Sequence, residues 1–186
     1  MSVVNPEIIK MIQSHRLENM KMKKDVFGET YISDLRLDSA GIVAQQSGAH
    51  FESIVLDILK YCNKDNRYHI SARPKFKCHF ELNRESDYGI MCGPDWKTSI
   101  HIECKQLGNV ESHFDKLSHC FMNVVLGCYG KYFWLVYDYN REIGNKFKIE
   151  KLIIRSAELK KQVAKKGITF ETILVDDLPS YLNKIK

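Results

Sequence analysis

Several features that would place this chain among membrane, secreted or multidomain proteins are missing from its sequence. It has no apolar run near the roughly 20 residues that a membrane-spanning helix needs. Its N-terminus lacks the basic and apolar regions that are typical of a signal peptide. No Gly-, Pro- or Ser-rich linker, internal repeat or low-complexity tract interrupts it. We therefore expect a cytoplasmic protein without membrane contact, folded as a single domain over residues 1–186.

The six cysteines do not form the pattern of a zinc site, because no Cys-x-x-Cys pair occurs. Without a secretory context, free thiols in the core are favoured over disulfides. The best zinc alternative combines Cys78, Cys92, His101 and Cys104. It is disfavoured because His101 and Cys104 point to opposite faces of a predicted strand.

The composition fits one compact globular domain, since 44% of the 186 residues are hydrophobic and 27% are charged. The net charge of +5 and pI near 8.8 allow nucleic-acid binding without requiring it. Basic residues are concentrated between Lys146 and Lys166, where Glu150 and Glu158 are the only acidic residues. This segment is either a phosphate-contacting surface or a solubilising helix face.

The stretch Ser86–Leu107 predicts two strands joined by a turn at Gly93-Pro94-Asp95. In the second strand, His101, Glu103 and Lys105 alternate with apolar residues, which predicts a polar face backed by a buried one. With the hairpin centred on the turn, opposed residues have numbers that sum to about 190. Asp87 then lies opposite Glu103.

Carboxylates opposed in an antiparallel ladder have Cβ atoms about 5 Å apart and repel each other. A cation between them removes this repulsion, and paired carboxylates with an open side are a usual way of holding Mg²⁺. Lys105, two residues after Glu103, extends toward the same point. The hairpin is thus a candidate magnesium site.

The segment from Asp87 to Glu103-Cys104-Lys105 resembles the signature of the PD-(D/E)XK nucleases, over roughly residues 45–140. Ser86 stands where this family often has proline, and the literal Pro94-Asp95 lies in the turn, so Asp87 is the better match. Two other acidic-x-Lys tripeptides occur, but only Glu103-Cys104-Lys105 has strand context.

The resemblance implies an α/β fold with a central mixed β-sheet flanked by helices and a restriction-endonuclease-like αβββαβ core. Periodicity predicts compatible elements. They are a helix over Gln45–Tyr61, a first strand near Tyr68–Phe76, the hairpin, a crossover helix over Ser112–Gly127 and a parallel strand over Tyr132–Tyr139.

After this core we expect a helix over Ser156–Lys166, capped by Ser156 and ended by Gly167. A strand over Ile168–Val175 follows, and Asp177 and Pro179 open a last helical turn.

The resemblance also assigns roles to individual residues. Asp87, Glu103 and the Cys104 carbonyl would hold one or two Mg²⁺ ions, and Mn²⁺ would substitute. Lys105 would orient the attacking water or stabilise developing negative charge; whether it is also the general base stays open. Glu52, at the edge of the helix stripe, is either an outer ligand of the metal or a solvated rim residue.

The expected function is a Mg²⁺-dependent endodeoxyribonuclease that cleaves double-stranded DNA, as a homodimeric type II restriction endonuclease of a restriction-modification system. A Holliday junction resolvase, a repair nicking enzyme and a homing endonuclease are alternatives with the same chemistry. A non-catalytic DNA-binding protein with the same fold is the alternative from another class. The complete set of Asp87, Glu103 and Lys105 favours an enzyme.

Overall fold

The computed structural model describes residues 5–27, 37–77, 83–91, 99–107, 112–126, 128, 130–139 and 146–185. The chain divides into two compact units. One is helical and includes both ends of the chain. The other contains the β-sheet and extends from Asn63 to Leu174. Whether the chain behaves as a single domain stays a prediction.

The second unit is built on a mixed five-stranded sheet flanked by helices, which confirms the expected α/β class. The order across the sheet is β1-β4-β5-β6-β7, with antiparallel pairing on the β1 side of β5 and parallel pairing on the other. Its strands are β1 (His69–Ala72), β4 (Tyr88–Met91), β5 (Ile100–Leu107), β6 (Tyr132–Tyr139) and β7 (Thr169–Leu174).

A second, two-stranded sheet pairs β2 (Lys75–Lys77) with β3 (Asn83–Glu85). The expected first strand near Tyr68–Phe76 is therefore divided between β1 and β2.

Two helices cover one face of the main sheet, namely α3 (Ser112–Val125) and α4 (Lys146–Ala164). Both belong to crossovers between parallel strands, since α3 joins β5 to β6 and α4 joins β6 to β7. Their apolar side chains form one core with alternate residues of β6 and β7. It includes Cys120, Val124, Phe133, Leu135, Tyr137, Leu152, Leu159, Val163 and Phe170.

This cover corrects the expectation of an exposed polar face on β5. His101 is 1% exposed and Glu103 is 9% exposed, so both faces of the strand are buried here. The physical reason is the parallel crossover, which places a helix over the face that carries Glu103.

The helical unit contains α1 (Pro6–Phe27), α2 (Leu37–Cys62) and α5 (Leu178–Leu182). Its apolar contacts come from the helix stripes, including Ile12 of α1 and Phe51 of α2, both buried. Arg16 adds a two-pronged ion pair to Asp176, with N–O distances of 2.6 and 3.1 Å.

Several predicted boundaries need correction. Helix α2 starts eight residues before the expected Gln45. Helix α4 starts ten residues before Ser156, so Ser156 is a buried position inside the helix and not its N-cap. Gly167 does follow the end of α4, with a φ of 73°, as expected of a glycine that ends a helix. Asp177 and Pro179 open α5 as predicted.

Within the described residues, no helix has both the length and the hydropathy to span a membrane.

Candidate active site

The β4–β5 ladder has the register that places Asp87 opposite Glu103. The paired residues are Tyr88 with Ile102, Gly89 with His101 and Ile90 with Ile100, so the numbers of each pair sum to 190. Asp87 directly precedes the first of these pairs. The predicted register is confirmed, although the turn at 92–98 that centres it lies outside the described residues.

Asp87 is held on both its backbone and its side chain. Its backbone carbonyl accepts a hydrogen bond from the Arg73 amide at 2.9 Å. Its Oδ2 accepts one from the Cys104 amide at 2.6 Å. Because Cys104 lies next to Glu103 in β5, the second bond fixes the Asp87 carboxylate beside the strand that carries Glu103.

The Lys105 ammonium lies between the two carboxylates. Its Nζ donates to Glu103 Oε2 at 2.8 Å and is 4.0 Å from Asp87 Oδ2. The side chains are only partly exposed, 21% for Asp87, 11% for Glu103 and 29% for Lys105. The cation that two facing carboxylates need is therefore supplied here by the chain itself.

The pKa of Lys105 is raised well above its ordinary value. Burial is the largest influence and lowers this pKa, but the Glu103 and Asp87 carboxylates together outweigh it. Lys105 is therefore a permanent cation at neutral pH.

Cys120 is a free, buried thiol, as expected from the sequence. The sequence did not place it over this site, where it lies on α3. It packs with Leu135 and Tyr137, and these are the β6 partners of Glu103 and Lys105. Burial raises the pKa of the Cys120 thiol, and the Glu103 carboxylate raises it further. Its spacing of four residues from Val124 is the signal that indicates a core position.

Two further buried polar residues, Ser86 and His101, lie next to the site. From the sequence, Ser86 received no role and His101 only a place in the disfavoured zinc alternative. Ser86 directly precedes Asp87, and His101 lies two residues before Glu103. Ser86 Oγ and His101 Nδ1 are 3.1 Å apart. The sequence indicates this contact only through position, because Ser86 lies one residue before Asp87 and His101 lies two residues before Glu103.

The structure brings Asp87, Glu103 and Lys105 together, with the Cys104 backbone bonded to Asp87. Glu52 is half-buried on α2 and belongs to the helical unit, so its expected role as an outer ligand stays a prediction.

Two residues of the zinc alternative, Cys78 and Cys92, lie outside the described residues. The other two, His101 and Cys104, occupy positions of alternating direction on β5. In the described part of the chain, no three His, Cys, Asp or Glu residues form a group that could hold a metal ion.

The donor set at Asp87 and Glu103 nevertheless fits a magnesium ion. Both donors are carboxylates, which are hard oxygen ligands, and both already converge on one cation, the Lys105 ammonium. Mg²⁺ is usually bound by one or two carboxylates, with water and substrate phosphate completing its shell. A site with two protein carboxylates agrees with that rule.

The comparisons with known proteins do not assign the chain to a family. No protein-family model matches it, and no curated protein matches it. Among solved structures, it is similar to protein VC1899 from Vibrio cholerae, with a TM-score of 0.42 and 15% identity over 95% of this chain and 50% of that one. The chain therefore spans about half the length of that protein.

Proposed function

We propose that this chain is a Mg²⁺-dependent endodeoxyribonuclease of the PD-(D/E)XK type. One observation supports this most strongly. Asp87 and Glu103, on neighbouring antiparallel strands, both approach the ammonium of Lys105, at 4.0 and 2.8 Å. Asp87, Glu103 and Lys105 match the two acids and the lysine of the PD-(D/E)XK signature. They form one cluster, as joint action in that kind of site would need.

In the proposed reaction, Asp87 and Glu103 hold the metal ion, and the Cys104 carbonyl is its third protein ligand. When bound, Mg²⁺ neutralises charge on the scissile phosphate and makes water a better nucleophile. The carboxylates contribute the negative charge that attracts the ion and fix its position.

Lys105 acts as an electrostatic group in this proposal. Beside the two carboxylates its raised pKa keeps it protonated, so it donates hydrogen bonds to negative oxygens. In this role Lys105 stabilises the charge that develops on the phosphate.

The proposed substrate is double-stranded DNA, and the proposed enzyme class is a type II restriction endonuclease acting as a homodimer. Two copies give the two sites that are needed to cut both strands. A resolvase, nicking enzyme or homing endonuclease would use the same residues on another DNA structure.

The deciding experiment is cleavage of plasmid DNA by purified protein with Mg²⁺, Mn²⁺, Ca²⁺ or EDTA. We expect cleavage with Mg²⁺ and Mn²⁺ only, and discrete fragments if the enzyme is sequence-specific. Selective cutting of four-way junctions would identify a resolvase instead. Cleavage that continues in EDTA would overturn the metal mechanism.

Variants distinguish the proposed site from a contaminating nuclease. Asp87→Asn and Glu103→Gln should each lower cleavage by about 100-fold or more, because a metal ligand is removed. Glu171→Gln is the matched control, since Glu171 also pairs with a lysine, Lys160, at 2.5 Å but lies on β7. Equal activity of Glu171→Gln and Glu103→Gln would contradict the proposal.

A further inference from the structure

Ser86 and His101 form a buried polar link between the two strands that carry the candidate carboxylates. Each residue is 1% exposed. Ser86 Oγ donates a hydrogen bond to the Tyr88 carbonyl at 3.0 Å. Ser86 Oγ also lies 3.1 Å from His101 Nδ1.

Ser86 Oγ links the Tyr88 carbonyl to the His101 ring. A serine hydroxyl has one proton to donate and accepts with its lone pairs. The tautomer of His101 decides whether Nδ1 donates to Ser86 Oγ or accepts from it. In either tautomer, the contact holds the imidazole ring beside Ser86.

Asp87 lies one residue outside the regular β4–β5 pairing, although the Arg73 amide holds its carbonyl. The β4–β5 ladder begins at Tyr88 and Ile102, one residue after Asp87. Ser86 is the residue on the other side of Asp87, and its side chain is bonded to β5 through His101. Gly89, the ladder partner of His101, has no side chain to obstruct the imidazole.

We propose that the Ser86–His101 hydrogen bond positions Asp87 for its contacts with the Cys104 amide and Lys105. Ser86 and His101 are positioning residues, since they act through Asp87. The geometric part stands on the contacts of Ser86, His101 and Asp87 with their neighbours. The consequence for metal binding rests on the proposed function.

The Cys104 amide is a direct reporter of this positioning, because its hydrogen-bond acceptor is Asp87 Oδ2. In metal-free protein, Ser86→Ala should accelerate hydrogen exchange of the Cys104 amide by about 10-fold or more, as measured by NMR. Ser86→Thr, which keeps the hydroxyl, should restore wild-type protection. The Leu135 amide in β6 serves as a reference for general destabilisation. Unchanged Cys104 protection in Ser86→Ala would overturn the proposal.

A second measurement tests the consequence for the metal site. Groups that orient a metal ligand typically change metal affinity by about 10- to 100-fold, so Ser86→Ala should weaken Mn²⁺ binding by that factor in calorimetry. Ser156→Ala is the matched control. It also removes a buried serine hydroxyl, but one whose Oγ has no hydrogen-bond partner among the described residues.

The outcomes separate this inference from the proposed function. If wild type binds Mn²⁺ and Ser86→Ala binds it equally well, the positioning role is wrong. If wild type binds no Mn²⁺, the proposed function fails, and Cys104 exchange alone decides the positioning.

If Ser86→Ala does not fold, Ser86→Cys replaces it as the comparison with Ser86→Thr, because a thiol is a weak hydrogen-bonding group of similar shape. Equal Cys104 protection in Ser86→Cys and Ser86→Thr would then refute the role.

Discussion

Lys105 is the residue on which the electrostatics of the candidate site depend. Its ammonium lies 2.8 Å from the Glu103 carboxylate and 4.0 Å from the Asp87 carboxylate, and all three side chains are partly buried. A structural ion pair and a catalytic lysine make different predictions for the same substitution. Lys105→Gln therefore tests both roles.

Lys105→Gln should lower the free energy of unfolding of the metal-free protein by about 1–3 kcal/mol, because it leaves two facing carboxylates without their cation. The raised pKa means that Lys105 stays charged in the folded and unfolded states below about pH 10. Its stabilisation is thus fully present below the unfolded pKa and is lost only above it. The difference between wild type and variant, measured by chemical denaturation, should be equal at pH 7 and pH 9.

The control for this prediction is Lys160→Gln, which breaks the exposed pair with Glu171 and should change stability by about 1 kcal/mol or less. A Lys105→Gln effect that grows between pH 7 and pH 9 would show that the pKa of Lys105 is lowered in the folded protein, because wild type would then gain stability as the pH rises.

Lys105 and a metal ion compete for the same carboxylates in the proposed enzyme. Lys105→Gln removes the competitor, and relief of about 1 kcal/mol corresponds to roughly fivefold tighter Mn²⁺ binding in calorimetry. Cleavage at saturating metal should nevertheless fall by about 100-fold or more, because a charge-stabilising donor is lost. Weaker Mn²⁺ binding by the variant would show that Lys105 helps to hold the metal and does not compete with it.

At the scale of elements, one glycine inside α2 and one after the end of α4 provide opposite tests of local geometry. Gly48 lies inside α2, and an added Cβ would contact nothing within 4 Å. Gly167 follows α4 with a φ of 73°, also with open space around it. Only the backbone conformation therefore distinguishes the two sites.

Gly48→Ala should stabilise the protein by about 0.5–1 kcal/mol, because alanine loses less entropy in a helix. Gly167→Ala should destabilise it by about 1 kcal/mol, because the left-handed conformation is strained for a residue with a Cβ. These changes correspond to shifts of about 2–4 °C in thermal midpoint, in opposite directions. Shifts of the same sign would refute this assignment of backbone roles.

The sequence predicts those elements whose pattern is carried by their own residues. The run from Tyr132 to Tyr139 is dense in aromatic and β-branched residues, and β6 has these bounds. The start of α4 was missed because Ser156, a good helix cap, occupies a core position between Leu152 and Leu159. A polar residue in an apolar stripe resembles a boundary when only the sequence is read.

In the candidate site, too, local features could be predicted from the sequence and tertiary contacts could not. The β4–β5 register follows from local pairing and was predictable. The burial of Glu103 and the approach of Cys120 depend on how α3 packs, which is a tertiary property. The bond between Ser86 and His101 also joins residues fifteen positions apart in the chain.

At the scale of the whole molecule, Glu52 tests whether the helical unit takes part in catalysis. If Glu52 is an outer ligand, Glu52→Gln should raise the Mg²⁺ concentration for half-maximal cleavage by about 10- to 100-fold without abolishing turnover at saturating metal. Glu18→Gln, an exposed acidic residue of the same unit that pairs with His50, is the control. An unchanged Mg²⁺ dependence would identify Glu52 as a solvated rim residue.

The basic segment that ends at Lys166 offers the corresponding test for DNA binding. Lys161 and Lys165 are exposed and lie four residues apart, which places them on one face of α4 and the turn that follows it. Lys160 forms an ion pair with Glu171, so the pair presents less net positive charge to a phosphate than a single lysine does. A phosphate-contacting surface would therefore use Lys161 and Lys165 before Lys160.

The salt dependence of binding decides between a DNA surface and a solubilising one. Each phosphate contact contributes about −0.9 to the slope of log affinity against log salt, so Lys161→Ala with Lys165→Ala should reduce the slope by up to about 1.8. Fluorescence anisotropy with Ca²⁺ between about 50 and 200 mM salt measures it, because Ca²⁺ occupies a carboxylate site but activates water poorly. Lys160→Ala with Glu171→Ala preserves net charge and should leave the slope unchanged. If both double variants bind as wild type does, the basic face of α4 serves solubility, and the phosphate contacts lie elsewhere on the chain.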